Sequence, residues 1–347
     1  MLSESVIVSL DAHQAERARR LHRESLILLA HDHFPPPEDL EALQRGGVTA
    51  KILMGALDAR AWSNETEDYQ RSTVEIDGWH DAALKTIREI LSNIGSCPQL
   101  CVVRTVDDIL QAKRNGRVGI LLGAEGGKLI GYELGNLHCL YELGLRHVML
   151  TWAFNNQLST AELDSSGRGL TDFGRDVVAE MNRLGMIIDV THLSRPAMRE
   201  VIELSTGPVL NSHTTLKSLA NRVPSLTAEE IRLLADRNGV IGVHFMTHML
   251  TGRFAPQALL DDLLRQIGAI ANIGGIDCVA LGPDYLPYTE NFRRNTGQSS
   301  LSFPVGLQDA GGLPLLTSGL VQRGHSDEAI QKILGGNLLR LFRETIG

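Results

Sequence analysis

The chain has 347 residues, with 33 Lys and Arg against 41 Asp and Glu, so its formal net charge is −8. Hydrophobic residues make up 43% of the sequence, which is ordinary for a globular protein and excludes a disordered or collagen-like chain. The negative charge gives no support to a surface that binds nucleic acid or anionic membrane.

Eight short apolar segments are predicted to be β-strands, because nearly continuous apolar runs are typical of parallel strands covered on both faces. They lie at residues 25–31, 49–57, 118–124, 147–152, 186–191, 208–212, 240–245 and 278–282. Helical spacing of apolar residues falls between them, at 68–95, 133–143, 171–184, 195–204, 227–237 and 257–273. Thr227 and Glu230 form a capping-box pattern at the start of one of these helices.

This alternation predicts a (β/α)8 TIM barrel, and no Pro/Ser-rich linker or shift in composition divides the chain. We therefore expect one domain over residues 1–347, with a short N-terminal helical extension and a C-terminal helix. A two-domain, doubly wound arrangement is the alternative.

The cellular location is predicted from features that the sequence lacks. Four scattered cysteines are too few for a disulfide framework in a chain of this length. The first residues show no basic region ahead of an apolar run, and no stretch of 18 apolar residues occurs. We expect a soluble, cytoplasmic protein without a membrane partner.

Chemically useful side chains follow five of the eight predicted strands. They are His31 and His33, Glu125, His192, His213, and Asp284. Catalytic groups of a barrel come from the C-terminal ends of its strands, and imidazole and carboxylate are the ligands that suit zinc. A single histidine at a strand end is more often a hydrogen-bonded structural residue, so it is the coincidence of five such ends that predicts a metal site.

The spacing within these motifs suggests how metals would be held. In His31-Asp32-His33 the period of two places both imidazoles on the same side of an extended strand. Glu125 lies between small residues in Gly123–Gly127, where it could bridge two cations with its two oxygens. A simple tight turn is the other interpretation of this glycine-rich segment. Asp189 is expected inside a strand, orienting a histidine.

At this point the sequence resembles the membrane (renal) dipeptidase family, the M19 metallopeptidases of the amidohydrolase superfamily. The similarity covers roughly residues 15–345. The matching segments are LHRESLILLAHDH, LLGAEGG, LRHVMLTWAFNNQL, GRGLTDFGRDVVAEMNRLGMIIDVTHLS, PVLNSHTTLKSLANRVPSLT, VALGPDY and ILGGNLLRLF. The resemblance implies a (β/α)8 barrel with two zinc ions that cleaves dipeptides, and a homodimer.

Carried over by position, the resemblance also implies a role for each site residue. His31 and His33 would hold the first zinc ion, His192 and His213 the second, and Glu125 would bridge them. Asp284 would be the acid/base group, and a metal-bridging hydroxide would attack the amide. A buried Arg222 would bind the free carboxylate of the substrate, since a guanidinium matches a carboxylate bidentately. Trp152 would line the substrate site.

Three positions depart from the family pattern. The family usually reads Asp-Gly-His-x-Asp at the first strand, where this chain has Leu29-Ala30-His31-Asp32-His33. Mammalian members carry a histidine where this chain has Trp152. The seventh strand of relatives often ends Asn-Phe-Tyr, and here it ends His244-Phe245-Met246.

The predicted function is therefore hydrolysis of dipeptides with a free C-terminal carboxylate, in a zinc-dependent enzyme whose partner is a small-molecule substrate. Because the substrate-facing positions have changed, hydrolysis of another amide, a lactone or an ester is an alternative. A degenerate family member that has lost turnover is a further alternative, which the retention of Glu125, His192, His213, Arg222 and Asp284 disfavours.

Overall fold

The computed structural model describes residues 9–58, 78–222, 224–254, 256–286 and 302–347. Ten β-strands lie within these ranges. They are β1 (Leu28–Asp32), β2 (Ala50–Leu57), β3 (Leu100–Val102), β4 (Val118–Glu125), β5 (Leu145–Met149), β6 (Ile187–Asp189), β7 (Leu210–Leu216), β8 (Ser225–Leu226), β9 (Val240–Val243) and β10 (Val279–Leu281).

Eight of these strands close into a parallel barrel. Their order is β1-β2-β4-β5-β6-β7-β9-β10, and β10 pairs back with β1. These eight strands coincide with the eight predicted segments, although their bounds differ by several residues at some ends. The predicted TIM barrel is therefore confirmed, and the open doubly wound sheet is excluded.

Two further strands were not predicted from the sequence. The three-residue β3 pairs in parallel with β4, and the two-residue β8 pairs in parallel with β7. Both are too short to show a hydrophobic period, which explains why the pattern did not reveal them.

Helices surround the barrel and fill the connections between its strands. They are α1 (Ala12–Glu24), α2 (Leu40–Arg45), α3 (Trp79–Gly95), α4 (Val106–Arg114), α5 (Leu134–Leu143), α6 (Asp172–Leu184), α7 (Arg195–Leu204), α8 (Ala228–Ala235), α9 (Thr247–Thr251), α10 (Leu260–Gly274), α11 (Leu313–Gln322), α12 (Asp327–Gln331) and α13 (Asn337–Thr345). No helix among the described residues is long and apolar enough to cross a bilayer.

Each of the six predicted helical segments contains or overlaps a helix of this set. The first ten residues of the predicted helix 68–95 lie outside the described residues, and the remainder contains α3. The helices α2, α4, α9, α11 and α12 were not predicted. The capping box at α8 is present as expected, because Thr227 Oγ1 accepts the backbone N–H of Glu230 while the Glu230 carboxylate accepts that of Thr227.

The barrel is closed at the N-terminal ends of its strands by α13. Leu338 and Phe342 of this helix pack in one buried apolar cluster with Leu28 and Leu121 of the strands. The side chain of Asn337 also donates hydrogen bonds to the carbonyls of Ile276 and Val279, at the start of β10. With this end filled, the opposite end, where the strands finish, is left for the polar groups.

Candidate active site

Six of the residues predicted from the sequence converge at the C-terminal ends of the barrel strands. Glu125 is the last residue of β4, His31 lies in β1, and His213 lies in β7. The others, His33, His192 and Asp284, follow β1, β6 and β10 within three residues. Groups up to 253 residues apart in the chain therefore meet because parallel strands of a barrel all end at one face.

Glu125 lies between two pairs of histidines. Its Oε2 is 3.1 Å from His33 Nε2 and 3.7 Å from His31 Nε2. Its other oxygen, Oε1, is 3.4 Å from His192 Nε2 and 3.9 Å from His213 Nε2. A single carboxylate thus presents one oxygen to each pair, which is the arrangement that a group bridging two cations requires.

Within each pair, the ring nitrogens that face Glu125 also face each other. The two Nε2 atoms of His31 and His33 are 3.0 Å apart, and those of His192 and His213 are 3.1 Å apart. Two nitrogens bound to one tetrahedral zinc ion would be about 3.3 Å apart, given Zn–N bonds of about 2.0–2.1 Å. Each histidine pair therefore has nearly the separation that a shared metal ligand set needs.

Asp284 completes the side of the site formed by the first pair. Its Oδ1 is 3.2 Å from His33 Nε2 and 3.5 Å from His31 Nε2, whereas its Oδ2 is 3.2 Å from His244 Nε2. Among the described residues, Oδ1 is a buried oxygen without a hydrogen bond of good geometry. A buried carboxylate oxygen of this kind suits a cation or a reacting proton.

The outer nitrogens of two histidines share one hydroxyl group. Ser212 Oγ lies 3.2 Å from the Nδ1 atoms of both His31 and His213. Thr191 Oγ1 is 3.4 Å from Ser212 Oγ and donates to Asp189 at 2.7 Å. If the Nδ1–H groups of His31 and His213 both donate to Ser212 Oγ, the Ser212 hydroxyl can donate its own hydrogen to Thr191 Oγ1. Each of these contacts then has one donor and one acceptor. Both Nε2 lone pairs are then free for metal, so the donor set fits divalent cations.

Asp189 orients a histidine as predicted, but that histidine is His147, which is not part of the cluster. Its Oδ2 accepts a 2.8 Å hydrogen bond from His147 Nε2, and its Oδ1 accepts from Thr191. It reaches the cluster through the Thr191 and Ser212 hydroxyls, and both His147 and Asp189 are fully buried.

The electrostatics of the cluster favour ionised carboxylates. Burial alone would raise the pKa of Glu125 and of Asp284, but the surrounding imidazoles hold both values well below their ordinary range. Burial likewise opposes the charge on His33, yet the adjacent carboxylates of Asp284 and Glu125 outweigh it and raise its pKa to about 10. The negative charge of the Glu125 and Asp284 carboxylates is thus balanced by protons on the neighbouring imidazoles. Bound cations would displace those protons.

Glu162 is a site residue that sequence reasoning missed. It belongs to the loop between β5 and α6, and its Oε1 lies 2.6 Å from His192 Nδ1. Its backbone N–H also donates to the carbonyl of His192 at 2.8 Å. A carboxylate on the outer nitrogen fixes the ring and leaves Nε2 to face Glu125. The available signal was the length of the loop 153–170, since long barrel loops often build active sites.

Two site residues adopt a left-handed backbone conformation. Among the described non-glycine residues, positive φ occurs at His192 (63°), Asp284 (57°) and Asn238 (56°). The conformation costs a non-glycine residue on the order of 1–3 kcal/mol and persists where neighbouring contacts impose it. His192 is held through its carbonyl, which accepts from Thr151 Oγ1 and Glu162 N, and Asp284 is held by the bond from its N–H to the His31 carbonyl.

The two glycines that follow Glu125 leave space for side chains that pack against the turn. A Cβ at Gly126, where φ is 107°, would lie 2.1 Å from Asp58 Cγ, and one at Gly127 would lie 2.2 Å from a methyl group of Leu158. Asp58 is buried and accepts the backbone N–H of Lys128, and burial raises its pKa to about 7. The turn after β4 thus needs glycine so that the Asp58 and Leu158 side chains can pack against it.

A cavity opens above the histidine cluster, and its remaining wall is largely apolar. Besides the cluster it is lined by Leu57, Trp152, Ala153, Glu162, Leu163, Pro224, Met246, His248, Met249 and Leu286. Trp152 therefore lies where the sequence predicted, on the wall of the site. Such a concave, mostly apolar pocket with a few converging polar groups suits a small molecule.

Arg222 is not among the residues that line this cavity, and the expectation that it is buried was wrong. Its side chain is exposed, its Nε donates to the Gly252 carbonyl, and its guanidinium lies 5.3 Å from the centre of the Phe254 ring. Phe254 in turn stacks on His248, which lines the cavity. The guanidinium is thus exposed to solvent near one cavity-lining side chain.

Comparison with known proteins finds relatives over nearly the whole chain. Residues 15–346 match the family model described as membrane dipeptidase, peptidase family M19. Among curated proteins, the chain is similar to "Dipeptidase tcpJ" of Claviceps purpurea (strain 20.1), with 29% identity over 322 residues, covering 90% of this chain and 72% of that protein.

Solved structures show the same architecture. An amidohydrolase from Pseudomonas aeruginosa is 25% identical, with a TM-score of 0.82 over 94% of this chain and 98% of the other. A metallopeptidase from Rhodobacter sphaeroides, solved with a phosphinate mimic of the dipeptide L-Ala-D-Ala, is 21% identical, with a TM-score of 0.80 over 93% of this chain and 100% of the other.

Proposed function

The chain belongs to the membrane dipeptidase family, peptidase family M19, and is a metallo-dipeptidase; from this premise we propose that it uses two zinc ions to hydrolyse dipeptides that carry a free C-terminal carboxylate. The observation that carries the proposal is the position of Glu125, whose two oxygens face two separate histidine pairs.

Each proposed ion has its own ligand set. His31 and His33 would hold one ion and His192 and His213 the other, with Glu125 bridging both. When bound, such a pair of ions activates a water molecule as nucleophile and polarises the scissile carbonyl. His33 stands where the family usually has a carboxylate, so the first set carries less negative charge, and we expect it to bind its ion more weakly.

Asp284 is the proposed proton carrier. Its Oδ1 faces the first histidine pair, and the neighbouring imidazoles hold its pKa well below the ordinary value, although burial acts in the opposite direction. An ionised carboxylate in this place can accept a proton from the attacking water and pass it to the departing amine. Turnover regenerates the carboxylate.

The substrate is proposed to lie in the apolar cavity, with Trp152 on one wall. Its carboxylate would lie toward His248, whose ring stacks on Phe254, because Arg222 lies beside that stack. Because Arg222 is exposed, it would have to turn inward from the Gly252 carbonyl to form a bidentate pair. A cytoplasmic location and a homodimer remain predictions from the sequence.

A substrate panel tests this function. Purified protein reconstituted with zinc would be assayed on dipeptides that include L-Ala-D-Ala, on their C-terminal amides, and on N-acyl amino acids and lactones. We expect dipeptides with a free carboxylate to be hydrolysed best. Hydrolysis of lactones or N-acyl amino acids in preference to all dipeptides would support the alternative substrate class, and no turnover of any compound would contradict the proposal.

The R222M variant tests the carboxylate contact. We expect KM to rise at least about tenfold for free dipeptides and to change little for their amides, because only the former lose a charged hydrogen-bonded pair. R253M, at an exposed arginine next to Phe254 in the chain, is the matched variant. Equal losses on both substrate types would show that Arg222 is structural, and a selective loss in R253M would transfer the role to that residue.

A further inference from the structure

His244 and Asp284 follow two strands that pair with each other. Val243 of β9 is in register with Leu281 of β10, so the residues just after these strands lie side by side. His244 Nε2 is 3.2 Å from Asp284 Oδ2. His244 is 2% exposed, so water does not compete for this contact.

The backbone determines which nitrogen of His244 carries the proton. The N–H of Met246 donates to His244 Nδ1 at 3.1 Å, which makes Nδ1 an acceptor. A neutral imidazole that accepts at Nδ1 carries its hydrogen on Nε2. Nε2–H therefore donates to Asp284 Oδ2, and the donor is fixed in place by a main-chain group two residues further on.

This bond gives the two oxygens of Asp284 different surroundings. Oδ2 is held by His244, while Oδ1 faces the Nε2 atoms of His33 and His31 at 3.2 and 3.5 Å. The backbone of Asp284 is constrained as well, by its φ of 57° and by the bond from its N–H to the His31 carbonyl. A carboxylate that is fixed at its backbone and at one oxygen directs the other oxygen toward a single point.

We propose that His244 is a positioning residue that holds the Asp284 carboxylate in one orientation, so that Oδ1 alone takes the proton from the attacking water and passes it to the departing amine. The inference deepens the proposed function and rests on it, since it assigns Asp284 the same role. It concerns a position where this chain departs from the family pattern, so the sequence pattern of relatives does not supply it.

A competing role for His244 is that of a metal ligand. One nitrogen of His244, one of His213 and one oxygen of Asp284 all lie within 4.8 Å of one another. If His244 held an ion, its loss would remove metal. If it positions Asp284, its loss would leave the metal content unchanged and slow the reaction.

Two substitutions separate these roles. H244F fills a similar volume but cannot donate, whereas the side-chain amide of H244Q can still donate to Asp284. For the zinc-loaded enzyme, we expect H244F to lower kcat about 10- to 100-fold, as the loss of a supporting hydrogen bond does in other sites, with KM changed less than about twofold and metal content unchanged. H244Q is expected to recover most of the loss.

A double-mutant cycle tests the coupling between His244 and Asp284 directly. In the D284N background, H244Q and H244F should have little further effect on kcat. The carboxylate that His244 positions is already absent there. Additive losses would overturn the inference, as would a near-normal kcat in H244F, loss of a metal ion, or an H244Q variant no faster than H244F.

Failure of this inference differs from failure of the proposed function. The comparison is made against wild-type protein on whichever amide or ester it hydrolyses best. If no dipeptide is hydrolysed but another substrate is, the dipeptidase proposal fails, while the role of His244 is still measured on that substrate.

Discussion

Removing the carboxylate of Glu162 should weaken metal binding at one half of the site. Glu162 Oε1 lies 2.6 Å from His192 Nδ1, and both side chains are largely buried, at 13% and 8% exposed. The bond therefore fixes the ring with a charged acceptor that solvent screens little. The backbone bond from Glu162 N to the His192 carbonyl does not involve the side chain, so the loop itself should stay in place.

The size of the effect follows from what each substitution removes. Loss of a carboxylate that supports a ligating histidine typically costs about 10- to 100-fold in metal affinity. That range corresponds to about 1.4–2.8 kcal/mol. E162Q retains a neutral acceptor and loses only the charge, so we expect it near about 10-fold. E162L loses the acceptor as well, and we expect it near about 100-fold, because a charge-assisted hydrogen bond is roughly twice as strong as a neutral one.

The assay is a competition titration of the metal-free protein with zinc and a chromophoric chelator, which resolves two dissociation constants. Only the constant of the ion held by His192 and His213 should rise. E180Q is a matched control, because it also removes a carboxylate that contacts a histidine. Glu180 of α6 lies 2.5 Å from Nε2 of His138 of α5, and neither residue belongs to the cluster. Unchanged constants in E162L, or a larger change at the ion held by His31 and His33, would refute this reasoning.

Two further results are expected. D284N should keep its fold and its metal and lose about 10²- to 10⁴-fold in kcat, because the amide retains the shape but cannot take the proton; a near wild-type rate would assign proton transfer to another group. His22 contacts Thr317 Oγ1 and the Gly46 carbonyl, and burial lowers its pKa. The unfolded chain then binds the extra proton more readily, so the free energy of unfolding should fall as pH drops below about 6.5. Urea unfolding at pH 7.5 and 5.5 should show a smaller fall in H22Q, and equal falls would contradict this assignment.

His22 also illustrates a limit of the sequence. A polar histidine on an amphipathic helix is expected at the surface, whereas His22 of α1 is half-buried against α11 and the turn after α2. Helical spacing indicates which face of α1 is apolar. It does not indicate that a later helix will cover the neighbouring face, because that contact joins residues 295 positions apart.

The sequence by itself determined the barrel and the members of the histidine and carboxylate cluster. Parallel strands that are buried on both faces favour apolar residues, so the eight barrel strands were visible as short apolar segments, several of them nearly continuous. The ends of these runs then marked His31, His33, Glu125, His192, His213 and Asp284, because closing a parallel barrel brings all strand ends to one face. These inferences needed only local patterns and a general rule of topology.

The tertiary structure alone decided the support of that cluster. Glu162 reaches His192 through the path of a loop, and His244 meets Asp284 because β9 pairs with β10. The exposed position of Arg222 depends on its contacts with Phe254 and Gly252. Contacts of this kind depend on ångström-scale distances between segments far apart in the chain. No local pattern encodes those distances, because they are determined only when the barrel closes and its loops pack over the strand ends.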